Sequence, residues 1–503
     1  MVATIDVPTA DGVVRGRRGR RVLRWRSLPY AAAPVGDLRF RAPQPVRPWT
    51  GVREATAFRF ASVQHRGGAR IGPTQFQPMS EDCLTLNVTA SAQPSSTPRP
   101  VLVFVHGGGY VMGTSALGLY SGARLAIRGD VVVVSLNYRL GAFGYVDFSE
   151  FGTPDRPIDS NLGLRDQVAA LRWVRENIAA FGGDPGNVTV FGESAGAHAV
   201  LSLMTAPAAR GLFHRAIAQS PPADWGMPAD DARAFARRCV EALDADTDDA
   251  VRALSDASAN DIGRAVSRVL NRVLRERPGV FPAAPVIDGD YLPVSPLEAL
   301  TSGTAQRVPL IIGTCRNEGA LFARFLDQLP TRPERLRAAL AEFGEEATGR
   351  VIDAYPGFPE PRTAIRAGGD FVFWRPSITA MEGHSKHAPT YAYRYDFAPR
   401  ALHLAGVGAT HATDLIPVFG AGDTPLGRAM TAAGGRRGLA AVTRQFQDNW
   451  IEFARTGTPL PSWPAYTEAR RTTLVIDSPT RLENDPDQAA RLAWQPIGVP
   501  SAA

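Results

Sequence analysis

The sequence predicts an α/β fold, a mostly parallel sheet covered by helices, on three observations. Short apolar, β-branched runs recur along the chain, and each ends in a glycine-rich or polar turn; such runs suit strands buried on both faces. Helical patterns alternate with them. No internal repeat, linker or sharp change of composition divides the chain, so residues 1–503 are expected to form one domain.

In chain order, the basic run "RGRRGRRVLRWR" (residues 15–26) comes first; its apolar residues Val22, Leu23 and Trp25 and its glycines Gly16 and Gly19 suit a solvated hairpin. The strand candidates are "VLVFVHGGGY" (101–110), "VVVVSLNYRLG" (131–141), "VTVFGESAG" (188–196), "RAIAQS" (215–220) and "VPLIIGTC" (308–315). Between them, "NLGLRDQVAALRWVRENIAAF" (161–181) places Leu164, Val168, Leu171, Val174 and Ile178 on one helical face, with Arg165, Arg172 and Glu176 off it. Two helix-rich stretches near 230–277 and 333–380 read as insertions capping the strand ends, where ligands of such sheets bind. The closing "GVPSAA" is expected to fray.

Composition narrows the function classes. With 44% hydrophobic and 21% charged residues the chain is an ordinary globular protein. The formal charge of +6 invites a nucleic-acid reading, but no aromatic platform or binding motif accompanies the basic run, so no nucleic-acid partner is expected. No apolar run approaches the roughly 20 residues of a membrane span, and the first residues carry no signal-peptide core, so a cytoplasmic protein without membrane contact is expected. Cys83, Cys239 and Cys315 lack the spacing of a zinc site, and they read as reduced, buried thiols. No metal or cofactor is expected.

The segment "VTVFGESAGAHAV" carries the chemistry. A strand ends at Phe191, a helix starts at Ala195, and Ser194 stands on the sharp turn between them, with Gly192 and Gly196 relieving the crowding. In this setting Gly-x-Ser-x-Gly reads as a nucleophile elbow, the turn expected of an α/β-hydrolase fold. A serine hydroxyl needs a base held by an acid, and this fold supplies them in the order Ser, acid, His. That order removes His65 and His106 and disfavours His198 and His214. His384 and His387 lie in a polar stretch that reads as solvated surface. His403 and His411 remain, with the Gly-rich loop "GVGATHATDL" favouring His411. Glu318, just after "VPLIIGTC", leads the acids. Asp288 and Asp290 look like turn formers, Asp414 like a support for the histidine loop, and position alone leaves the choice open. "HGGGY" offers the N–H groups of Gly108 and Gly109, with that of Ala195, to a developing oxyanion. Tyr110, Phe373 and Trp374 are candidate pocket aromatics, with ordinary core packing an equal reading.

At these residues the chain resembles the type-B carboxylesterases, the family of para-nitrobenzyl esterases, animal carboxylesterases and cholinesterases. The likeness runs from "LPYAAAPVGDLRFRAP" through "EDCLTLNV", "HGGGY", "NYRLGAFGY" and "FGGDPGNVTVFGESAGA" to "GTCRNEGALF", "GATHATDLIPVFG" and "WIEFARTGTPLPSWPAY". It implies Ser194 as nucleophile, Glu318 as acid, His411 as base, and Gly108, Gly109 and Ala195 as oxyanion hole. Three departures stand out. Ser62 occupies the place of the cysteine that pairs with that of "EDCL" in many relatives, so Cys83 is expected to be free. "QSP" replaces "QSG", which puts a helper role for Ser220 in doubt. Asp414 stands where glutamate is common.

The resemblance implies a hydrolase of small carboxylic esters working through an acyl-enzyme. Carbamate, amide or thioester cleavage by the same machinery is the alternative, and a non-catalytic binding protein of the same fold a more distant one. Oligomeric state is left open between monomer and dimer. An unperturbed histidine titrates near about pH 6.5, so activity is expected to fall below roughly that pH.

Overall fold

The computed structural model describes residues 3–497 apart from Pro73, Pro278 and Pro496; the closing "GVPSAA" lies outside the described residues. The strands are β1 (Thr4–Thr9), β2 (Gly12–Arg18), β3 (Val22–Pro29), β4 (Val52–Glu54), β5 (Thr85–Ser91), β6 (Arg99–Val105), β7 (Val132–Leu136) and β8 (Gly183–Glu193). They continue with β9 (Arg215–Gln219), β10 (Met227–Pro228), β11 (Val286–Ile287), β12 (Leu310–Cys315), β13 (Thr390–Tyr395), β14 (Thr472–Ile476) and β15 (Arg481–Asn484).

The apolar runs become strands because alternate residues find a core on each side. Val101, Val103 and Val105 of β6, Val132 and Val134 of β7, and Val188 and Val190 of β8 face one apolar cluster. Leu102, Phe104, Val133 and Phe191, interleaved with them, face the other. These strands form the middle of a 13-stranded sheet of order β1-β2-β3-β5-β7-β6-β8-β9-β12-β13-β14-β15, with β4 beside β2; β10 and β11 pair separately. From β7 to β14 neighbouring strands are parallel, as expected of buried strands joined by helical crossovers. The flanks β1-β2-β3-β5-β7 and β14-β15 are antiparallel. The basic run forms the β2–β3 hairpin, with Arg17, Arg18, Arg20 and Arg21 exposed around its tip.

Helices close both faces. Leu162–Asn177 buries Leu164, Val168, Leu171 and Val174, and continues as a 3-10 turn to Phe181, where the sequence pattern ends. Arg436–Thr456 lays Leu439, Val442, Phe446 and Trp450 on the opposite face. Arg139 of "NYRLG" ties this framework together through a bidentate bond to Asp166, with the two side chains 3% and 0% exposed. Helices also fill the two predicted insertions, among them Ala229–Glu241, Ala259–Glu276, Pro333–Ala341 and Arg375–His384. Their apolar residues, such as Phe235, Ile262, Leu336 and Met381, belong to the same cluster as the first face of the sheet. Among the described residues no helix is long and apolar enough to cross a membrane.

Candidate active site

β6, β8, β9 and β12 end on one edge of the sheet, and the candidate residues follow those ends. The backbone at Ser194 has φ 59 and ψ −130, a conformation that a side chain adopts only when its surroundings enforce it. A Cβ on Gly192 would lie 2.4 Å from the Gly196 carbonyl oxygen, and one on Gly196 would lie 2.2 Å from that of Val105, so the turn closes only with glycine at both places. Ser194 N–H donates to the Gln219 carbonyl at 2.8 Å, anchoring the elbow to β9. Its hydroxyl does not cap the following helix.

His411 and Glu318 come together from loops far apart in sequence. Their loops are stitched by Asn317 N–H to the Ala409 carbonyl at 2.9 Å and by Leu321 N–H to Thr410 Oγ1 at 2.9 Å. His411 Nδ1 then lies 2.6 Å from Glu318 Oε2. The other oxygen, Oε1, accepts from Cys315 N–H and from Ser220 Oγ, each at 2.6 Å. A carboxylate that accepts from all three can only point the histidine one way. Ser220 therefore does reach Glu318 although Pro221 follows it, with a φ of 49 and its N–H bonded to the Gly313 carbonyl.

The opposite nitrogen, His411 Nε2, has no hydrogen-bond partner among the described residues, so the bond to Ser194 is not made in this arrangement. It lies 3.1 Å from Glu193 Oε1, a carboxylate that the sequence reading passed over although it directly precedes Ser194. Glu193 is fully buried, which pushes its carboxyl up to about 8, with the His411 charge opposing. Burial likewise acts to lower the His411 pKa, but the charges of Glu193 and Glu318 and the Glu318 hydrogen bond outweigh it, and the ring rises to about 9. The carboxylates around the ring thus shift it above the ordinary histidine value of about 6.5. Asp414 supports the histidine loop: its Oδ2 accepts from Gln219 Nε2 at 2.8 Å and Tyr393 OH at 2.9 Å. Gln219 is the residue whose carbonyl holds Ser194.

The oxyanion candidates sit opposite. Gly108 and Gly109 have φ of 113 and 59, and a Cβ on Gly107 would lie 3.0 Å from Ser194 Cβ, so this loop passes directly over Ser194. Among the described residues the N–H groups of Gly108, Gly109 and Ala195 enter no turn or loop hydrogen bond. His106 carries the loop from below, stacked on Tyr138, whose hydroxyl donates to the His106 carbonyl at 2.6 Å.

The pocket candidates divide. Phe373, from a single π-helical turn at Asp370–Trp374, lies 4.4 Å from the His411 ring centroid, and Phe322, which the sequence reading missed, lies 5.1 Å away on it as well. Trp374 is buried in the core. Tyr110 is fully buried, its ring tilted against that of Tyr145 with centroids 4.2 Å apart and its hydroxyl bonded to His198. Beside Gly109 stand Val111 and Phe281, each 3.9 Å from where a Gly109 Cβ would be, and Phe281 stacks at 4.1 Å on Trp225. Phe281 and Trp225 border a cavity of about 80 Å³ with Met227, Phe371 and Val372. A larger cleft of about 640 Å³, between the helices Ala229–Glu241 and Ala259–Glu276, touches none of these residues.

Other histidines leave the contest. His403 is exposed on the helix Arg400–Leu404. His384, expected at the surface, is 1% exposed and bonded to the Val308 carbonyl, because its helix packs flat against the sheet. Asp288 accepts from Asp290 and Leu292 N–H groups as a turn former does. Among the described residues no cluster of His, Cys, Asp and Glu could hold a metal ion.

Comparison with known proteins agrees with this architecture. The carboxylesterase family profile matches residues 3–494. Para-nitrobenzyl esterase of Bacillus subtilis (strain 168) is 39% identical over 491 residues, covering 96% of this chain and 97% of that one. Mouse (Mus musculus) liver carboxylesterase 1 is 34% identical over 492 residues, covering 88% and 83%. A solved PNB esterase superposes with a TM-score of 0.88 at 38% identity, covering 97% and 99% of the two chains. A carboxylesterase of Geobacillus stearothermophilus, solved at pH 6.2, does so with 0.84 at 35% identity, covering 97% and 100%. The chain belongs to the carboxylesterase family and is, with it, a carboxylic-ester hydrolase.

Proposed function

We propose that this hydrolase cleaves small carboxylic esters through an acyl-enzyme on Ser194, with His411 as base, Glu318 as the acid that orients it, and the N–H groups of Gly108, Gly109 and Ala195 as oxyanion hole. The observation that carries the reading is the 2.6 Å bond from His411 Nδ1 to Glu318, which leaves Nε2 unbonded beside the nucleophile elbow. A neutral His411 takes the Ser194 proton as Oγ attacks the ester carbonyl. The negative oxygen is held by the three N–H groups, and His411 passes its proton to the leaving alcohol. Water then repeats the cycle on the acyl-enzyme. Phe281 and Trp225 bound the acyl side, and the helical insertions cap the site. No metal or cofactor enters this scheme.

Three buried, unpaired cysteines suit a reducing compartment, which supports placing the protein in the cytoplasm. The test of function is initial-rate hydrolysis of p-nitrophenyl acetate, butyrate and octanoate by wild type and Ser194→Ala. Turnover by wild type that drops at least about 10⁴-fold in the variant is expected; equal rates would overturn the assignment of the nucleophile.

A further inference from the structure

His198 stands one turn after Ser194, its N–H bonded to the Ser194 carbonyl at 3.0 Å, and it is wholly buried. The reaction scheme gives it no task. Yet both ring nitrogens are used: Nε2 lies 2.5 Å from the Trp225 carbonyl, and Nδ1 lies 2.6 Å from Tyr110 OH. A carbonyl can only accept, so Nε2 carries the proton and Nδ1 accepts from the tyrosine hydroxyl, which fixes one neutral tautomer. Burial, opposed by the Trp225 hydrogen bond, holds the ring pKa down to about 4, consistent with that neutral form.

The two bonds lead to the two surfaces that a bound ester must meet. Tyr110 directly follows the oxyanion glycines; its φ is 61, and its carbonyl accepts from Gly141 N–H at 2.8 Å. Trp225 carries the stack on Phe281 that flanks Gly109. We propose that His198 is a positioning residue, a neutral strut that spans from the nucleophile helix to the oxyanion loop through Tyr110 and to the acyl-side wall through Trp225, holding both in register with Ser194. The sequence order of the catalytic groups disfavours His198 as a base, and this role explains why a polar ring is buried there all the same. The inference rests on the ester-hydrolase reading and adds the determinants of oxyanion alignment and acyl-length selectivity.

The test uses two variants that cut one leg each. Tyr110→Phe removes a hydroxyl and keeps the ring. His198→Asn keeps an acceptor near the Nδ1 position and gives up the donor to Trp225. Rates are expressed per active serine, titrated with an organophosphate, so that misfolded protein does not count. For Tyr110→Phe, kcat is expected to fall about tenfold on all three p-nitrophenyl esters with KM changed less than about twofold. For His198→Asn, kcat on acetate should stay closer to wild type while the octanoate-to-acetate ratio of kcat/KM shifts by about threefold or more. A merely structural role would lower thermal stability and the titratable fraction but leave these per-site constants unchanged, and that result overturns the proposal. Should either variant fail to fold, long-range ¹H–¹⁵N correlation of wild-type histidines decides: a neutral Nε2–H tautomer at His198 is required, and an Nδ1–H tautomer overturns it. Absence of Ser194-dependent turnover in wild type would instead sink the underlying reading.

Discussion

His411 Nε2 lies 3.1 Å from Glu193 Oε1, so the nitrogen that would take the serine proton faces a second carboxylate besides the Glu318 that holds the ring from behind. In the proposed mechanism His411 works in its neutral form, and a raised pKa means that the proton leaves only at higher pH. Activity is therefore expected to rise with pH along a limb above about 6.5, toward the value of about 9 that Glu193, Glu318 and Asp414 together impose against burial. While Glu193 itself holds a proton its pull vanishes, so the two groups titrate as a pair. In Glu193→Gln the limb in kcat/KM should move to lower pH by about one unit or more, read from rates between about pH 5 and 10. An unmoved limb would show that Glu193 does not tune the base.

Glu318→Gln replaces the acceptor on His411 by a group that does not fix the productive tautomer. A loss of about 10³ to 10⁴ in kcat is expected, with little change in substrate affinity. Ser220→Ala removes one of the donors to Glu318 and leaves Cys315 N–H in place. Its loss should be nearer tenfold, and a loss as large as that of Glu318→Gln would mean that Ser220 acts on the substrate directly.

The two glycines proposed for the oxyanion hole, Gly108 and Gly109, should differ when substituted. A Cβ on Gly108 would lie 2.1 Å from the Met112 carbonyl at a φ of 113, so Gly108→Ala must displace the loop. At Gly109 the space is open, with the nearest atom 3.9 Å away, and only the positive φ resists. Gly108→Ala is expected to lose about 10² to 10³ in kcat and some thermal stability, and Gly109→Ala clearly less of both. Equal losses would contradict this geometry.

Ser62 lies beside the Cys83 thiol, whose pKa burial pushes up to about 12 against the influence of that hydroxyl. Ser62→Cys should therefore form a disulfide with Cys83 under oxidising conditions, closing a loop worth about 3 kcal/mol. Thiol counting in denaturant should then find two of the four cysteines of the variant missing, and the melting temperature should drop on reduction. Four free thiols after oxidation would show that the two positions do not meet.

Much of this architecture was legible because its signals are local. Continuous apolar runs mark strands with a core on both sides, and "GESAG" between such a run and a small-residue helix marks the elbow by sterics alone. Errors arose where a neighbour remote in sequence decides. His384 reads as surface because its stretch is polar, yet its helix lies against the sheet. Pro221 cast doubt on Ser220, yet the backbone at Ser220, bonded to Gly313, sets the direction of its hydroxyl. Tyr110 reads equally as pocket wall or core, and only the fold brings its hydroxyl to His198, eighty-eight positions later.

The sequence by itself determined the α/β class, the serine at the sharp turn and the glycines that bend the backbone around it, because backbone sterics and hydrophobic period act over a few residues. Only the tertiary structure decided that Glu193 faces the base, that Phe373 and Phe322 cover it, and that Tyr110, His198 and Trp225 form one chain of hydrogen bonds. Those relations depend on strand register and on the path of the insertions, and burial gives them their force: with water excluded, each polar atom must find its partner inside the protein, wherever in the chain that partner lies.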